Sequence, residues 1–492
     1  MKKKLVPWGV FQKTPAVLKR FLLLGTFFGI LLAPLGAQDD FGFGFDEEGE
    51  GEAPAPVSSL VPGIRIGGEI GAELVGYVYN FIPENFPGAL GNIFSGKLNF
   101  SASGSNADGV INLNLRPVFD GSRSPVELDE AYARAYFGSF SIEGGLRKLT
   151  WGKADSLGPL DVVNPLDYRD LTAMSDMQRL KIARPLVHLS YAFGDFSKLE
   201  AVFVPWFEGH RFDTTGRWAP VQVTEMYSDL PLAMEDWLYQ SGASPAAIIS
   251  LMGVLLAAGP FSVTPPDTST LDYAQGGFRF TTTWASSDLG FQYYYGRLPQ
   301  PAIHIKGLKD YPNSSEGIHP QLTYTPYHQI GVDYAQVIRG FNLRAELAAH
   351  ITEDLSGDDG GVYNPFLAWS LGFDRDLLWG INLNLQVNET IRLLQHRLTD
   401  NIAVDTEAGK KPTSTRLTGI LSKKFLRDEL ELRTALIWGL EDQDVYILPG
   451  LFWTRGDVVL EFSGGVFAGN RQGELGQYRD NGFIKLGLTY TF

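Results

Sequence analysis

The stretch Ile381-Asn-Leu-Asn-Leu-Gln-Val-Asn388 alternates without a break. Ile381, Leu383, Leu385 and Val387 share one face, and Asn382, Asn384, Gln386 and Asn388 share the other. Successive side chains of an extended strand point to opposite sides. A period of two therefore describes a strand with an apolar phase on one side and water on the other. Segments 110–116, 341–350 and 429–438 repeat the pattern, with Arg, Glu and Asn on the wet faces. Followed outward in both directions, the pattern predicts eighteen strands. They are 65–79, 93–103, 108–118, 127–138, 139–150, 184–195, 197–207, 272–286, 288–297, 321–338, 340–352, 362–374, 378–390, 413–424, 428–440, 443–455, 456–468 and 480–492.

The connectors alternate in length. Gly138-Ser139, Gly194-Asp195, Ser287-Asp288, Arg339-Gly340, Arg375-Asp376 and Arg455-Gly456 read as tight turns. Between them lie longer loops at 151–183, 207–271, 298–320, 353–361, 391–412 and 469–479. An even number of alternating strands, with short turns at one end and long loops at the other, predicts an all-β fold: a transmembrane antiparallel β-barrel of 18 strands, with 16 as the alternative count. A closed barrel satisfies its backbone groups between strands and needs no membrane helix. Trp206, Trp284, Trp369, Trp379, Trp438 and Trp453 fall near strand ends, where interfacial girdles form. The competing architecture is a soluble β-sandwich with these aromatics in its core.

Composition agrees. The 492 residues carry a net charge of −15, no cysteine, 55 Gly and 13% aromatic residues. Without cysteine there is no disulfide framework, thiolate metal site or cysteine nucleophile. An acidic total with no long basic run beyond the first twenty residues argues against a nucleic-acid partner. Residues 1–20 hold Lys2, Lys3, Lys4, Lys13, Lys19 and Arg20 and no acid. A twelve-residue apolar run at 21–32 and then Ala33-Pro34-Leu35-Gly36-Ala37 follow. This pattern predicts a signal peptide at 1–37, and its removal takes the charge to −21. Residues 38–60 are low in complexity: Phe41, Phe43 and Phe45 alternate with Gly, and Glu47, Glu48, Glu50 and Glu52 follow. Such a segment buries too little to fold alone, so a disordered acidic tether is expected. A periplasmic partner docking on 38–57 is the sharper reading.

Catalytic motifs fail. Residues 91–97 read G-x-x-x-x-G-K, but Leu98 stands where a Ser or Thr would hold magnesium. His188, His210, His304, His319, His328, His350 and His396 are scattered without ligand spacing. The chain is expected to be no enzyme and to need no cofactor or metal. Glu353, Asp354, Asp358 and Asp359 cluster in one loop, either as a solvated acidic tip or as a divalent-ion contact to lipopolysaccharide.

The ending Leu-Thr-Tyr-Thr-Phe492 resembles the terminal signal by which Gram-negative outer-membrane proteins are recognised by the barrel assembly machinery. Arg147-Lys-Leu-Thr-Trp151-Gly152, followed by Asn164-Pro165-Leu-Asp167, resembles a porin-like family of uncharacterised outer-membrane barrels over about twenty residues. Lys148 stands where that family usually has another polar residue. The resemblance implies the outer membrane, contact with its lipid and lipopolysaccharide, and a channel-like role, and it permits a homotrimer. It implies no ligand.

Resemblance to general porins also implies that loop 151–183 folds inward and narrows the lumen. The loop carries Asp155, Asp161, Asp167, Asp170 and Asp176. Alternation places Arg116, Arg134 and Arg147 on the wet faces of three neighbouring strands. A basic wall facing an acidic loop would set a transverse field across a constriction, with Arg116, Arg134, Arg147, Asp155, Asp161 and Asp167 as its residues. The plainer reading is that the aspartates cap turns and the arginines keep the lumen polar. Asn164-Pro165 reads foremost as a turn. The apolar run 246–258 is too short to span a bilayer. It is either a helix packed on the barrel rim or a lid, plug or lipid contact.

Four functions follow: a passive channel for small hydrophilic solutes, a transporter or export component for hydrophobic solutes or lipid, a barrel enzyme, and an adhesin. Wet lumen faces and the absence of any nucleotide site favour the channel.

Overall fold

A computed structural model describes residues 63–78, 94–115, 125–174, 177–257, 265–313 and 318–492. The expected signal peptide, the acidic segment 38–60, Arg116 and Asp176 lie outside these residues.

The strands in chain order are β1 (Ile64–Tyr77), β2 (Phe94–Ser103), β3 (Ala107–Leu115), β4 (Val126–Phe137), β5 (Phe140–Arg147), β6 (Arg184–Phe193), β7 (Ser197–Val204), β8 (Gln275–Trp284), β9 (Ser287–Arg297), β10 (Ala302–Lys306), β11 (His319–Thr323), β12 (Pro326–Ile338), β13 (Phe341–Thr352), β14 (Phe366–Leu377), β15 (Ile381–Arg392), β16 (Thr413–Phe425), β17 (Leu430–Gly439), β18 (Asp444–Arg455), β19 (Val458–Ala468) and β20 (Phe483–Thr491). All except β10 and β11 join one antiparallel sheet of 18 strands, each paired with its neighbours in sequence. β9 pairs with β12 across the intervening hairpin. β20 pairs with β1 from Glu69↔Thr491 to Tyr77↔Phe483 and closes the ring. Closure leaves no edge whose unpaired N–H and C=O groups would be stranded in an apolar phase.

Each of the eighteen expected segments overlaps one barrel strand. The differences are local and follow from backbone pairing. The turn expected at Ser287-Asp288 lies at Ala285 and Ser286, both with positive φ, so β9 begins at Ser287. The turn expected at Arg375-Asp376 comes later, because Asp376 pairs with Asn382 and accepts a hydrogen bond from its side chain at 2.9 Å. The chain then reverses through Leu378–Gly380, with Trp379 and Gly380 both at positive φ. Inside the expected loop 298–320 and the start of the next segment, β10 and β11 form a separate hairpin.

Alternation sorts the two faces. Ile70, Leu74, Phe203, Phe278, Ile330, Leu347, Leu371, Leu432, Phe462 and Leu486 are exposed on the outer wall. Glu143, His188, Glu200, Arg279, Gln292, Asp333, Glu346, Asn384 and Gln386 are buried on the inner one. A soluble sandwich would bury the first set. Here the apolar side chains face outward, as an apolar solvent demands. Of the tryptophans expected at strand ends, Trp206, Trp284, Trp379, Trp438 and Trp453 are exposed, and Trp369 is half-buried.

Three helices, α1 (Val221–Thr224), α2 (Met226–Gln240) and α3 (Pro245–Ala257), lie in the long connection between β7 and β8. Among the described residues no helix is long and apolar enough to cross a membrane. The described part of the apolar run 246–258, residues 246–257, is thus realised in α3. Its Ile248 packs in one cluster with Leu230, Met234 and Leu238 of α2, with Ile305 of β10 and Leu308 just beyond it, and with Ala403 and Val404 of the loop after β15. Trp237 donates to Leu308 O at 3.2 Å, and Asn401 donates to Ala233 O at 2.8 Å. The helix therefore packs into a cap built by three connections, rather than on the strands of the rim.

Candidate functional site: the loop across the lumen

The connection 148–183 leaves the wall at β5 and returns at β6. Asn164 closes its neck. The side-chain carbonyl accepts from Leu149 N at 2.7 Å, and the amide donates to Arg147 O at 3.1 Å and Ile182 O at 2.8 Å. The Asn-Pro pair is structural, as its turn reading implied, but the work is done by the side chain. All three groups of the neck are buried, where an unpaired polar group costs about 1–3 kcal/mol.

Residues 151–160 then cross the lumen. Trp151 is buried against Tyr294, edge to face at 6.1 Å between ring centres. Beyond it the backbone wraps the carboxylate of Glu346 on β13. Oε1 accepts from Lys153 N at 2.5 Å and Ala154 N at 2.7 Å, and Oε2 accepts from Leu160 N at 3.2 Å. Gly152 has φ +97°, and a Cβ there would stand 2.3 Å from Glu346 Oε1. A Cβ on Gly158 would stand 2.3 Å from Oε2. Only glycine allows so close an approach of backbone to carboxylate. Gln329 donates to Pro159 O at 2.7 Å, Gln292 donates to Leu160 O at 2.9 Å, and Gln386 accepts from Ser156 N at 3.1 Å. Gln386 lies on β15, almost diametrically across the ring from β5, so this arm spans the barrel.

The second arm, 165–183, lies on an apolar wall. Leu166, Leu171, Met174 and Leu180 pack with Ile437, Tyr446, Phe467 and Phe483 of β17–β20 and with Trp218. Tyr446 also donates to Leu171 O at 3.0 Å. A second connection crosses it. Arg211 N donates to Leu166 O at 2.9 Å, and Tyr168 N donates to Arg211 O at 2.8 Å. His210 Nδ1 accepts from Leu166 N at 2.9 Å, which makes Nε2 the protonated nitrogen of a neutral ring. Burial pushes His210 down to about 4. Tyr168 and Phe212 stack 5.3 Å apart beside it.

Among the described residues, the charges expected at the constriction are paired with other groups as well. Arg134 and Arg147 both converge on Glu143, Arg134 at 2.7 Å, and Arg147 also covers the Tyr132 ring. Asp155 reaches the far wall, 2.6 Å from Arg344, and accepts from Asn384 at 3.0 Å. Burial outweighs these contacts and raises its carboxyl. Asp161 pairs with Lys181 at 2.7 Å inside the loop itself, where burial again pushes the carboxyl up. Burial pushes Asp167 up as well, but the side-chain and backbone N–H groups of Arg169 outweigh it and hold the carboxyl below its usual range. The aspartates therefore do not stand as a row facing the arginines. Asp170 caps a short helical turn through Thr172 N. Asp354 likewise accepts from Ser356 N, Gly357 N and Asp359 N, which makes it a turn former.

Glu346, Gln329, Gln292, Gln386, Asn384, Arg344, Lys181 and His210 did not emerge from sequence as site residues. Alternation alone places Glu346 on a wet face. The glycines at 152 and 158 were the signal that something must press on this backbone.

No family model and no curated protein matches the chain. Solved structures similar to it include Wzi, an outer-membrane protein involved in group 1 capsule assembly in Escherichia coli and a carbohydrate-binding β-barrel. It has 12% identity and TM-score 0.45, over 86% of this chain and 84% of that one. OccAB4 of Acinetobacter baumannii has 10% identity and TM-score 0.46, over 87% and 98%. The outer-membrane channel DcaP of Acinetobacter baumannii has 10% identity and TM-score 0.40, over 89% and 100%. At such identities the likeness is one of architecture.

Proposed function

We propose that this chain is a bacterial outer-membrane channel for passive diffusion of small hydrophilic solutes, exported by its signal peptide. The observation that carries the reading is a ring of 18 strands, apolar outside and polar inside, crossed by a loop fastened to opposite walls. An 18-stranded barrel is too wide for its own side chains to fill, so a fastened loop sets the width of the path. In this reading Arg134, Arg147, Asp155, Asp161 and Asp167 border the constriction; Arg116, the sixth residue expected there, lies outside the described residues. Their near partners make its field one of short ion pairs rather than two facing rows. The path needs no catalysis, cofactor or metal. The strand ending at Phe492 serves assembly into the membrane, segment 38–57 faces the periplasm, and a homotrimer is the assembly the resemblance permits.

The aromatic wall of Tyr446, Phe467, Tyr478 and Phe483, which arm 165–183 covers, supports a second reading, a transporter or export component for hydrophobic solutes or lipid gated by that lumenal loop. Single-channel recording of the refolded chain in planar bilayers separates the two. Stable ohmic steps, with a reversal potential under a salt gradient, are the expected result. Correctly folded barrels without conductance would overturn the channel and direct attention to the aromatic wall.

A further inference from the structure

On the outward faces of β12 to β19 most side chains are apolar, and His328, Gln336, Thr413, Thr415 and Thr434 are among the polar ones. The lysine and arginine exceptions are Arg375, Lys423 and Arg455, in the closing residues of β14, β16 and β18. Register confirms that they face out: Arg375 is opposite Leu383, Lys423 opposite Leu432, and Arg455 opposite Val458. Alternate strands all run to the same end, that of the short turns, and stand roughly 10 Å apart. The three cations thus form a row along one quarter of that rim. Arg375 lies over the Phe341 ring at 4.2 Å and Lys423 over Phe425 at 4.9 Å, which holds both against the wall. The carboxylate on the outward face of these strands, Glu389, is near the opposite end of β15. Asp428, Glu429 and Asp457 stand beyond the strands, in the turns.

The outer wall is concave beside Trp453, two residues before Arg455 on the same face of β18. A furrow of about 590 Å³ runs between β17–β20 and β1–β2, lined by Leu74, Leu430, Leu451, Trp453, Phe462 and Leu488, and by Glu461, whose carboxylate is paired with Lys485 at 3.2 Å. Trp453 is half-exposed at its rim end, the position of an interfacial anchor.

We propose that this furrow seats an anionic phospholipid, with its acyl chains along the apolar lining and its phosphate on Arg455, while Lys423 and Arg375 extend a basic rim that favours headgroups of net negative charge. The inference rests on the reading that the barrel spans a membrane. Phosphate charge is common to all phospholipids, but a zwitterionic headgroup cancels it with its own ammonium. A row of cations without an outward carboxylate at that end discriminates between the two. Each basic residue near an anionic surface is worth about a fivefold change in affinity.

The test is native mass spectrometry of the full barrel in detergent, titrated with phosphatidylglycerol or with phosphatidylcholine of the same chains. Phosphatidylglycerol binds preferentially in the proposal. Arg455→Gln weakens it about fivefold and the triple change R375Q/K423Q/R455Q about a hundredfold, while phosphatidylcholine binding stays unchanged and serves as the control for folding. Ala72→Phe, which fills the furrow, removes the preferred adduct with all three charges in place. Equal affinity for the two lipids, or a triple variant that binds as the parent does, overturns the site. An unchanged adduct in Ala72→Phe overturns the furrow as its seat. Conductance is read in parallel. Loss of conductance with lipid preference intact would sink the channel alone, whereas a chain that enters no bilayer would sink both.

Discussion

The two arms of loop 148–183 are fastened by opposite physics. Arm 151–160 sits on Glu346, Gln329, Gln292 and Gln386 through its own backbone groups, with two glycines giving way to a carboxylate. Arm 165–183 sits by area, with four apolar side chains against an aromatic wall. A directional polar seat defines one register, because every misplaced contact strands a buried donor or acceptor. An apolar seat tolerates small slides, because burial depends on area and not on direction. The first arm therefore fixes the position of the loop across the lumen, and the second holds it against the wall.

Glu346→Ala is the largest break. It strands the N–H groups of Lys153, Ala154 and Leu160, at about 1–3 kcal/mol for each buried orphan. The expected outcome is release of the first arm, seen as higher and noisier conductance and new protease cleavage within 151–160. Unaltered conductance and cleavage would mean that the seat contributes nothing to the constriction. Leu171→Ala should cost about 2–3 kcal/mol, within the usual range for a buried leucine, and should soften the second arm alone. Thermal unfolding of the double variant checks the comparison: additive losses mean that the seats are independent, and a strong shortfall means that they move as one.

The smallest effect is one of pH. His210 is held neutral at the crossing of the two loops, and burial lowers it to about 4 from an ordinary 6.5. Because its folded value is depressed, its contribution is full above about 6.5 and is lost as pH falls toward 4, where the unfolded chain binds the proton first. Protonation also turns Nδ1 from acceptor into donor, facing Leu166 N. Histidine proton NMR should place its midpoint near 4. A midpoint near 6.5 would show the crossing to be open to water.

Much of this was legible in residue order. Every expected strand overlaps a barrel strand, because alternation is enforced locally, residue by residue, by the two phases that the sheet separates. Resemblance gives an inward loop only as an expectation, and residue order says nothing of the seat of residues 151–160, since Leu160 and Glu346 are 186 residues apart. Nothing in the order of residues tells Asp155 that it meets Arg344, or Arg134 and Arg147 that they meet at Glu143. The cap shows the same limit. The run 246–258 declares a short apolar helix, but its neighbours come from connections that meet only once the barrel closes.

The sequence by itself determined the barrel, its alternating faces and the end on which its long connections lie. These depend on period, turn chemistry and solvent, all of which act within about ten residues. Only the tertiary structure decided which wall receives the loop, which carboxylate its backbone encloses and how each charge is paired. Those outcomes depend on which strands the closed ring brings face to face across the lumen.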